Sequence, residues 1–525
     1  MAQPAPLLPP PTVSPSRQRR SQGVLHGLFM MMGSSYFDLL TSLIQTVIVM
    51  RLIGPTGRGL MTISDLFTKW LANTHLGAMH GLSRRLPVAL ARHEEQRAQD
   101  LEDVGMSFVL ATSILSALGM LGTAVFCLSW GTVTREVIAC GAGIFLCSQT
   151  VTVYRVVLRA WGTFSVLALS SMVMNVAQLV LVVAGAWAYG VVGAMVGLLA
   201  ANLLQLGYLH WAGRLRIRVR YNWPLIFALI SSGLPLVAIT YADILLRTVD
   251  RAMVGKLMGA HALGLYWPAS QLAMYLFRIP ESVGFVLMPR IWEKYGVEDD
   301  AAALRQHVLA PTMAAATVMP VLSGLLFIMI PQVLRALVPL YVEGTYAAQV
   351  LAMGGAFLAL PIAACGLLVA MRREWLVTLT KLAGAAVIAG GAWWTLRHSG
   401  DLAHVAMYAV SGFALASLLA LVAALGNYYR SRWRLALEII ICHVPFVWSI
   451  LAIRGAGLLS DLLPVSLHEH SWRIMTMRMV IFLVLCLPVL WYGDRRTGVL
   501  RRTRALVMGK LAARVRPAEP PEMRE

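Results

Sequence analysis

Fourteen apolar stretches, each about long enough to cross a bilayer as a helix, run through this chain. A hydrocarbon core of roughly 30 Å needs about 20 apolar residues per helix. The stretches fall near 24–50, 59–80, 105–130, 137–158, 164–187, 190–211, 225–254, 262–288, 306–330, 346–370, 375–396, 403–426, 435–453 and 474–493. The first, second and thirteenth carry polar residues. The 525 residues are 58% hydrophobic and 13% charged, against roughly 25% charged in soluble domains. Length therefore counts helices here, not globular cores.

The basic residues orient the spans. A net charge of +19 invites a nucleic-acid partner, but the cations sit in short clusters between apolar stretches, which is the pattern of topology signals. With the N-terminus inside, the inner segments hold clusters such as Arg17, Arg19 and Arg20, Arg84 and Arg85, and Arg214, Arg216, Arg218 and Arg220. The outer segments hold only Arg51, Arg58, Arg135, Lys256, Arg335, Arg397, Arg454 and Arg473. This asymmetry predicts an even number of spans, both termini cytoplasmic, and no nucleic-acid partner. Residues 1–22 read as a disordered, basic, Pro-rich tail without a cleavable signal. A polar amphipathic segment over 82–103 is expected along the inner surface. Outer loops are short; the longest spans 454–473.

The phrase "RLIGPTGRGL" at Arg51 returns as "KLMGAHALGLY" at Lys256, an offset of 205 residues. Without a gap, Gly54 faces Gly259, Gly59 faces Gly264, and Asp38 of "YFDLL" faces Asp243 of "YADIL". The glycines bracket a tight turn, because glycine accepts the positive φ that helix ends demand. Two similar hairpins would account for the match. Duplication of a six-helix unit accounts for it together with the even span count. It predicts an N-terminal bundle at 23–211, a basic linker at 212–224, a C-terminal bundle at 225–426, two further helices at 427–494 and a basic tail at 495–525. Parallel repeats of this kind usually enclose a central cavity between bundles.

Six basic residues fall inside spans: Lys69, Arg247, Arg251, Arg278, Lys381 and Arg478. A charge at mid-membrane costs about 2.5–3.5 kcal/mol on insertion scales and normally faces a cavity or a partner. The span "YADILLRTVDRAMVGKLMG" holds Asp243, Arg247, Asp250 and Arg251 at spacings of three and four, hence on one helical face. Asp65–Lys69 and Arg278–Glu281 are similarly spaced. Two readings stand for each group: structural ion pairing, or the lining of a wet cationic cavity. Arginine suits the second because its planar fork binds phosphate oxygens in pairs. Asp38 and Asp243 are candidates for charge balance or ion coupling. Arg478 reads as a snorkelling residue. His75, His80 and His443 read as packed or interfacial. Asn175, Gln178 and Gln205 add polarity to the fifth and sixth spans. The close spacing of Gly193 and Gly197 predicts tight helix packing, and Pro235, Pro280, Pro320 and Pro361 are candidate kinks.

No phosphate-binding loop, metalloprotease helix or hydrolase elbow occurs. The six cysteines are scattered in or beside apolar segments, without metal-ligand or disulfide spacing. No enzyme, cofactor or metal site is expected.

The stretches "SLIQTVIVMRLIGPTGRGL" from Ser42 and "VDRAMVGKLMGAHALGLYWPASQLAMYLFRIPESVGFVLMPRI" from Val249 resemble the polysaccharide transporter (Wzx-type) flippases of the multidrug/oligosaccharidyl-lipid/polysaccharide (MOP) superfamily. The resemblance rests on Asp250–Arg251, Leu257, Gly259, the turn Ala262–Tyr266, then Pro280, Pro289 and Arg290, and on "GLSRRLPVALAR" from Gly81. It implies an all-α polytopic membrane protein of about 14 helices, as two pseudo-symmetric six-helix bundles in a MATE-like V with two extra C-terminal helices. It further implies a flippase for undecaprenyl-diphosphate-linked oligosaccharides in a bacterial inner membrane, serving exopolysaccharide, capsule or O-antigen synthesis. Arg247, Arg251, Lys69, Arg278 and Lys381 would then attract the diphosphate, with Asp38, Asp243, Asp250, Glu281 and Asp65 in charge balance or coupling. Its partners would be the lipid-linked substrate, the bilayer, and polysaccharide polymerase and co-polymerase proteins. A cation-coupled drug exporter of the same fold is one alternative. A membrane polymerase or ligase is another, against which the short outer loops count.

Overall fold

The computed structural model describes residues 15–127, 130–213, 218–298, 304–398, 400–429, 431–461 and 471–498. Among the described residues there is no strand. In lipid a backbone must satisfy its own polar groups, and helices do this within one segment. Among the described residues eleven stretches are long and apolar enough to span a membrane, so this is a multi-pass membrane protein. Two of the eleven, Phe37–Leu71 and Phe164–Gly213, each contain two of the expected spans. Adding α8, which is too polar to be counted, recovers fourteen.

Contacts divide the chain into two units, Met1–Val237 and Ala238–Glu525. The division falls inside helix α7 (Trp223–Leu257), not in the basic linker at 212–224. The physical reason is local: the first turns of α7 are fused to unit 1. A Cβ on Gly233 would lie 2.0 Å from the Gly77 oxygen, and one on Gly81 would lie 2.1 Å from the Leu229 oxygen. In the linker, the Arg220 N–H donates to Ser107 Oγ at 2.9 Å and the Arg220 guanidinium pairs with Asp100.

Unit 1 begins with α1 (Pro15–Leu71), bent at Gly54, whose φ is 65°. The expected tail to residue 22 is thus already helical from Pro15; residues 1–14 lie outside the described residues. A turn at 72–77 leads to α2 (Ala78–Ala91), so the span expected to reach residue 80 ends at Leu71. Leu82, Leu86 and Ala89 of α2 are buried while Ser83 and Arg84 are exposed and Arg85 is half-buried, the amphipathic pattern expected of this segment. From Glu95 the chain already belongs to α3 (Glu95–Phe126), one turn after α2 ends. Next come α4 (Thr132–Ala160), α5 (Phe164–Ala177), a π-helical segment (Gln178–Val182) and α6 (Val183–Gly213), bent at Gly190 with φ 59°. Gly185 and Gly193 pack backbone to backbone across this bend, and Gly197 meets the Leu181 carbonyl.

Unit 2 continues with α8 (Gly259–Glu298), α9 (Arg305–Leu337), a 3-10 segment (Pro339–Gly344), α10 (Thr345–Ala359), α11 (Ile362–Ala370), α12 (Glu374–His398), α13 (Leu402–Leu425), α14 (Arg432–Asp461) and α15 (Ser471–Thr497). Pro361 breaks the tenth expected span into α10 and α11, whereas Pro235, Pro280 and Pro320 stay inside continuous helices. α12 and α13 approach through Gly384 and Gly412. α14 and α15 pack on α9: Phe482 fills the space over Gly324, and Ser449 Oγ donates to the Pro320 carbonyl at 2.8 Å. The outer loop expected at 454–473 shrinks, because α14 runs to Asp461; residues 462–470 and 499–525 lie outside the described residues.

The repeat recurs in backbone detail. Gly54 and Gly259 both have positive φ, at 65° and 85°. Gly59 and Gly264 do not bracket the turns; both are buried inside helices, because one glycine suffices to reverse the chain. A second set of matches appears at an offset of 210. After α4, Trp161, Gly162 and Thr163 N–H donate to the Val157, Arg159 and Leu158 carbonyls. After α11, Met371, Arg372 and Arg373 donate to Leu367, Val369 and Leu368 in the same pattern. Gly162 (φ 75°) and Arg372 (φ 56°) stand at matching positive-φ positions, as do Gly190 (φ 59°, at the bend within α6) and Gly400 (φ 63°, between α12 and α13).

Candidate charged site in unit 2

Asp243 lies midway along α7, and four residues on, Arg247 projects from the same face. Arg247 Nε is 2.8 Å from Asp243 Oδ2, and its Nη2 donates to Oδ1 at 3.3 Å. Lys381 of α12 reaches the same carboxylate, with Nζ 2.5 Å from Oδ1. All three side chains are mostly buried, at 19–26% exposure. The Arg247 guanidinium also lies 4.2 Å above the Phe277 ring, a cation–π contact strengthened by the loss of water. Two cations on one carboxylate leave an excess of one positive charge in a nearly dry place.

This cluster borders a cavity of about 130 Å³, lined also by Phe277, Phe357, Cys365, Phe413 and Ser417. Ligand pockets typically measure roughly 300–1,000 Å³, so this one is closed to anything as large as a sugar diphosphate. Its wall includes Pro361 and Ile362, at the break between α10 and α11.

The charged stripe expected on one face of α7 is divided. Asp243 and Arg247 face the cavity. Asp250 and Arg251 are packed away, at 2% and 5% exposure. Tyr266 of α8 donates to Asp250 Oδ2 at 2.9 Å, Arg251 Nε stands 4.0 Å from Asp250 Oδ1, and the Arg251 guanidinium donates to the Arg247 carbonyl. Asp250 thus ties α7 to α8 near the Gly259 turn, while Arg251 bonds within α7. Arg278 and Glu281 are exposed on α8, with the Arg278 guanidinium 5.5 Å over the Tyr275 ring. Arg478 donates to Ser460 Oγ at 2.8 Å and pairs with Asp461 at 3.0 Å.

Unit 1 holds the remaining candidates. Lys69 is exposed in the last turn of α1, and Asp65 is half-buried one turn earlier. Asp38 is half-buried and interacts electrostatically with Arg155 of α4. The repeat makes this informative. Position 155 corresponds to Cys365, which lines the cavity beside Asp243. Each unit thus keeps an aspartate on its first helix, but the cations come from different places: α4 in unit 1, α7 and α12 in unit 2. Asn175 and Gln205 are buried in unit 1, and Gln205 Nε2 donates to the Ser170 carbonyl at 3.3 Å.

The histidines sit as packing and cap residues. His443 Nδ1 is 2.7 Å from the Ile439 carbonyl, and its ring stacks on Phe357. His75 lies in the turn after α1, where Nδ1 accepts from the Gly77 N–H at 3.2 Å. Burial, then the charge of neighbouring His80, pushes the His75 imidazole down to about 4. Sequence reasoning missed Tyr266, Phe277, Phe357 and Phe413. Only the appearance of Tyr266 and Phe277 within the family-like stretch from Val249 offered a signal.

The same fold is known. The chain is similar to the inward-facing conformation of a multidrug resistance MATE family transporter of the MOP superfamily, with TM-score 0.61 and 14% identity over 76% of this chain and 95% of that one. It is similar to the outward-facing conformation of a MATE family transporter of that superfamily, with TM-score 0.56 and 15% identity over 80% and 96%. It is also similar to a MOP superfamily transporter from Pyrococcus furiosus Vc1 (DSM3638), with TM-score 0.55 and 15% identity over 80% and 96%; reverse polarity of that protein's binding pocket suggests a different function for it. No curated protein sequence matches with significance. The fold is therefore that of these MATE-like membrane transporters. Residues 48–338, more than half of the chain, match the polysaccharide biosynthesis protein family, and the chain belongs to that family. The matched region contains Gly54, Asp243, Arg247 and Gly259 and stops before Lys381.

Proposed function

We propose that the protein is a flippase that moves an undecaprenyl-diphosphate-linked oligosaccharide from the inner to the outer leaflet of a bacterial inner membrane. The observation that carries this reading is the pair Arg247 and Lys381 sharing the single carboxylate of Asp243. A buried site with surplus positive charge is poised for an anion, because the anion restores neutrality where water cannot. Arg247 offers two parallel donors and Lys381 a compact charge, the two common ways of holding phosphate oxygens. A drug exporter for cations would need the opposite polarity. Family membership supports a polysaccharide substrate, and the fold supports alternating access. The closed cavity widens when the α10–α11 wall moves at Pro361. The diphosphate then takes over Asp243's cations, and the sugars meet the Phe277, Phe357 and Phe413 rings. No covalent step is required, so the protein is not an enzyme in this scheme. Both termini are cytoplasmic, as the basic clusters indicate. Polymerase and co-polymerase proteins are the expected partners on the outer side.

The test is the sidedness of lipid-linked glycans in a deletion strain, probed with a membrane-impermeant glycan-binding reagent. Intermediates trapped on the cytoplasmic face, and rescued by wild type but not by Arg247→Gln/Lys381→Gln at equal protein level, are expected. Normal outward exposure in the deletion strain, or full rescue by the double variant, overturns the reading.

A further inference from the structure

Unit 2 contains a slot between α8 and α9. Both helices pack along α10, yet they scarcely touch each other. The gap encloses about 420 Å³, within the rough range of 300–1,000 Å³ found for ligand pockets. Val283 and Leu287 of α8 form one wall, at a helical spacing of four. Ala310, Ala314 and Val318 of α9 form the other, again four apart. The lining is apolar except for Thr312 and Thr497, so neither a sugar nor a charged group finds partners inside.

The two ends of the slot differ. At the mouth, Val283 and Val318 are 57% and 45% exposed and face outward. At the inner end stands Ile362, which also lines the cavity of Arg247 and Lys381. A Cβ on Gly284 would meet Ile362 Cγ2 at 2.7 Å, so Gly284 is what admits α8 to this corner. An apolar slot that shares a wall residue, Ile362, with a cationic cavity matches one chemistry, a long hydrocarbon chain carrying phosphate at its head. The slot also lies at the end of unit 2 where α8 finishes and α9 starts. With the termini inside, that is the half of the bilayer from which the substrate is loaded.

We propose that this slot seats the first isoprene units of the lipid-linked substrate, next to its diphosphate; this rests on the flippase reading above. The chain is already in an apolar solvent, so the slot contributes little hydrophobic affinity. Its effect is positional: it fixes the direction in which the chain leaves the phosphates and so aims the headgroup at Lys381 and Arg247.

The experiment uses the full-length protein in proteoliposomes of phosphatidylethanolamine and phosphatidylglycerol. The probe is a polyprenyl diphosphate with a benzophenone on an isoprene unit near the head. The labelled peptides are mapped by mass spectrometry. We expect label on the segments carrying Val283 and Ala314, competition by unlabelled polyprenyl diphosphate, and a several-fold loss of label in Ala314→Phe and Ala310→Phe. Both residues line open space, and thermal unfolding checks that the variants fold. Label spread over other lipid-facing helices and indifferent to Ala314→Phe, while Lys381→Gln still abolishes diphosphate competition, overturns the slot and leaves the flippase reading intact. Equal competition by added phosphatidylglycerol means an ordinary acyl chain fills the slot, and this too overturns the proposal. Absence of any competition by diphosphate, with Lys381→Gln unchanged from wild type, overturns both readings.

Discussion

Asp243 holds two cations in a place with little water, and its replacement is predicted to cost more than the loss of either partner. Asp243→Asn would leave Arg247 and Lys381 facing each other without a counter-charge. Breaking a buried pair in this way typically costs about 3–5 kcal/mol, so reduced membrane levels and a clearly lower unfolding temperature are expected in detergent. Lys381→Met leaves a one-to-one Asp243–Arg247 pair beneath Phe277. Its stability is expected to stay near wild type while glycan export fails. Equal instability of the two variants would refute the charge accounting. Sequence spacing alone identifies the Asp243–Arg247 pair. The arrival of Lys381 is not legible in it, because 138 residues separate the two and no local periodicity connects α7 to α12. For the same reason the division of the α7 stripe was invisible: Arg247 and Arg251 share a helical face, yet one borders a cavity and the other is enclosed with Tyr266.

Turns and helix joins set the next scale. At Gly259, with φ 85°, a β-branched side chain would meet its own backbone. Gly259→Val is predicted to destabilise the protein by about 1–2 kcal/mol, and Gly259→Asn by less, since Asn tolerates this conformation. Membrane-inserted yield and unfolding temperature check the order. The turn at 72–77 gives a pH effect. His75 is buried there as the neutral imidazole, lowered from 6.5 to about 4. The folded form therefore resists protonation that the unfolded chain accepts. Stability from this site is full above pH 6.5 and falls as the pH drops from there toward 4. Unfolding temperature measured across that window should decline with acidity in wild type and decline less in His75→Gln. A flat wild-type profile would refute this. The helices themselves were largely readable from the sequence, since apolar length determines what crosses a bilayer. The joins were not. Whether a glycine bends a continuous helix, as at Gly54, or lies buried within one, as Gly59 does, depends on what packs beside it.

At the scale of the whole chain, α14 and α15 are not appendages to the duplicated bundles. They interlock with α9 through Phe482 over Gly324 and through the Ser449 hydroxyl on Pro320. A chain truncated after Asn427 is predicted to lose folded yield, despite containing both six-helix repeats. Monodisperse elution of that truncated chain from size-exclusion chromatography would show the opposite. The duplication itself extends beyond the phrase that revealed it. The matched hydrogen-bond caps after α4 and α11 share almost no sequence, because a backbone motif constrains φ and ψ far more than it constrains side chains. The unit boundary inside α7 follows from close glycine contacts at Gly77, Gly81 and Gly233, which a linear reading of linker composition does not register.

Taken alone, the amino-acid sequence determined that the chain is helical and crosses the membrane many times, and that two aspartates recur at an offset of 205. These properties depend on transfer from water to lipid and on local periodicity, both of which act over one helix. Only the tertiary structure decided which charges meet, which are enclosed, and where an apolar slot runs beside a cationic cavity. Those outcomes depend on approach between helices far apart in the chain, and small residues such as Gly284, Gly324 and Gly384 permit that approach without announcing their partners.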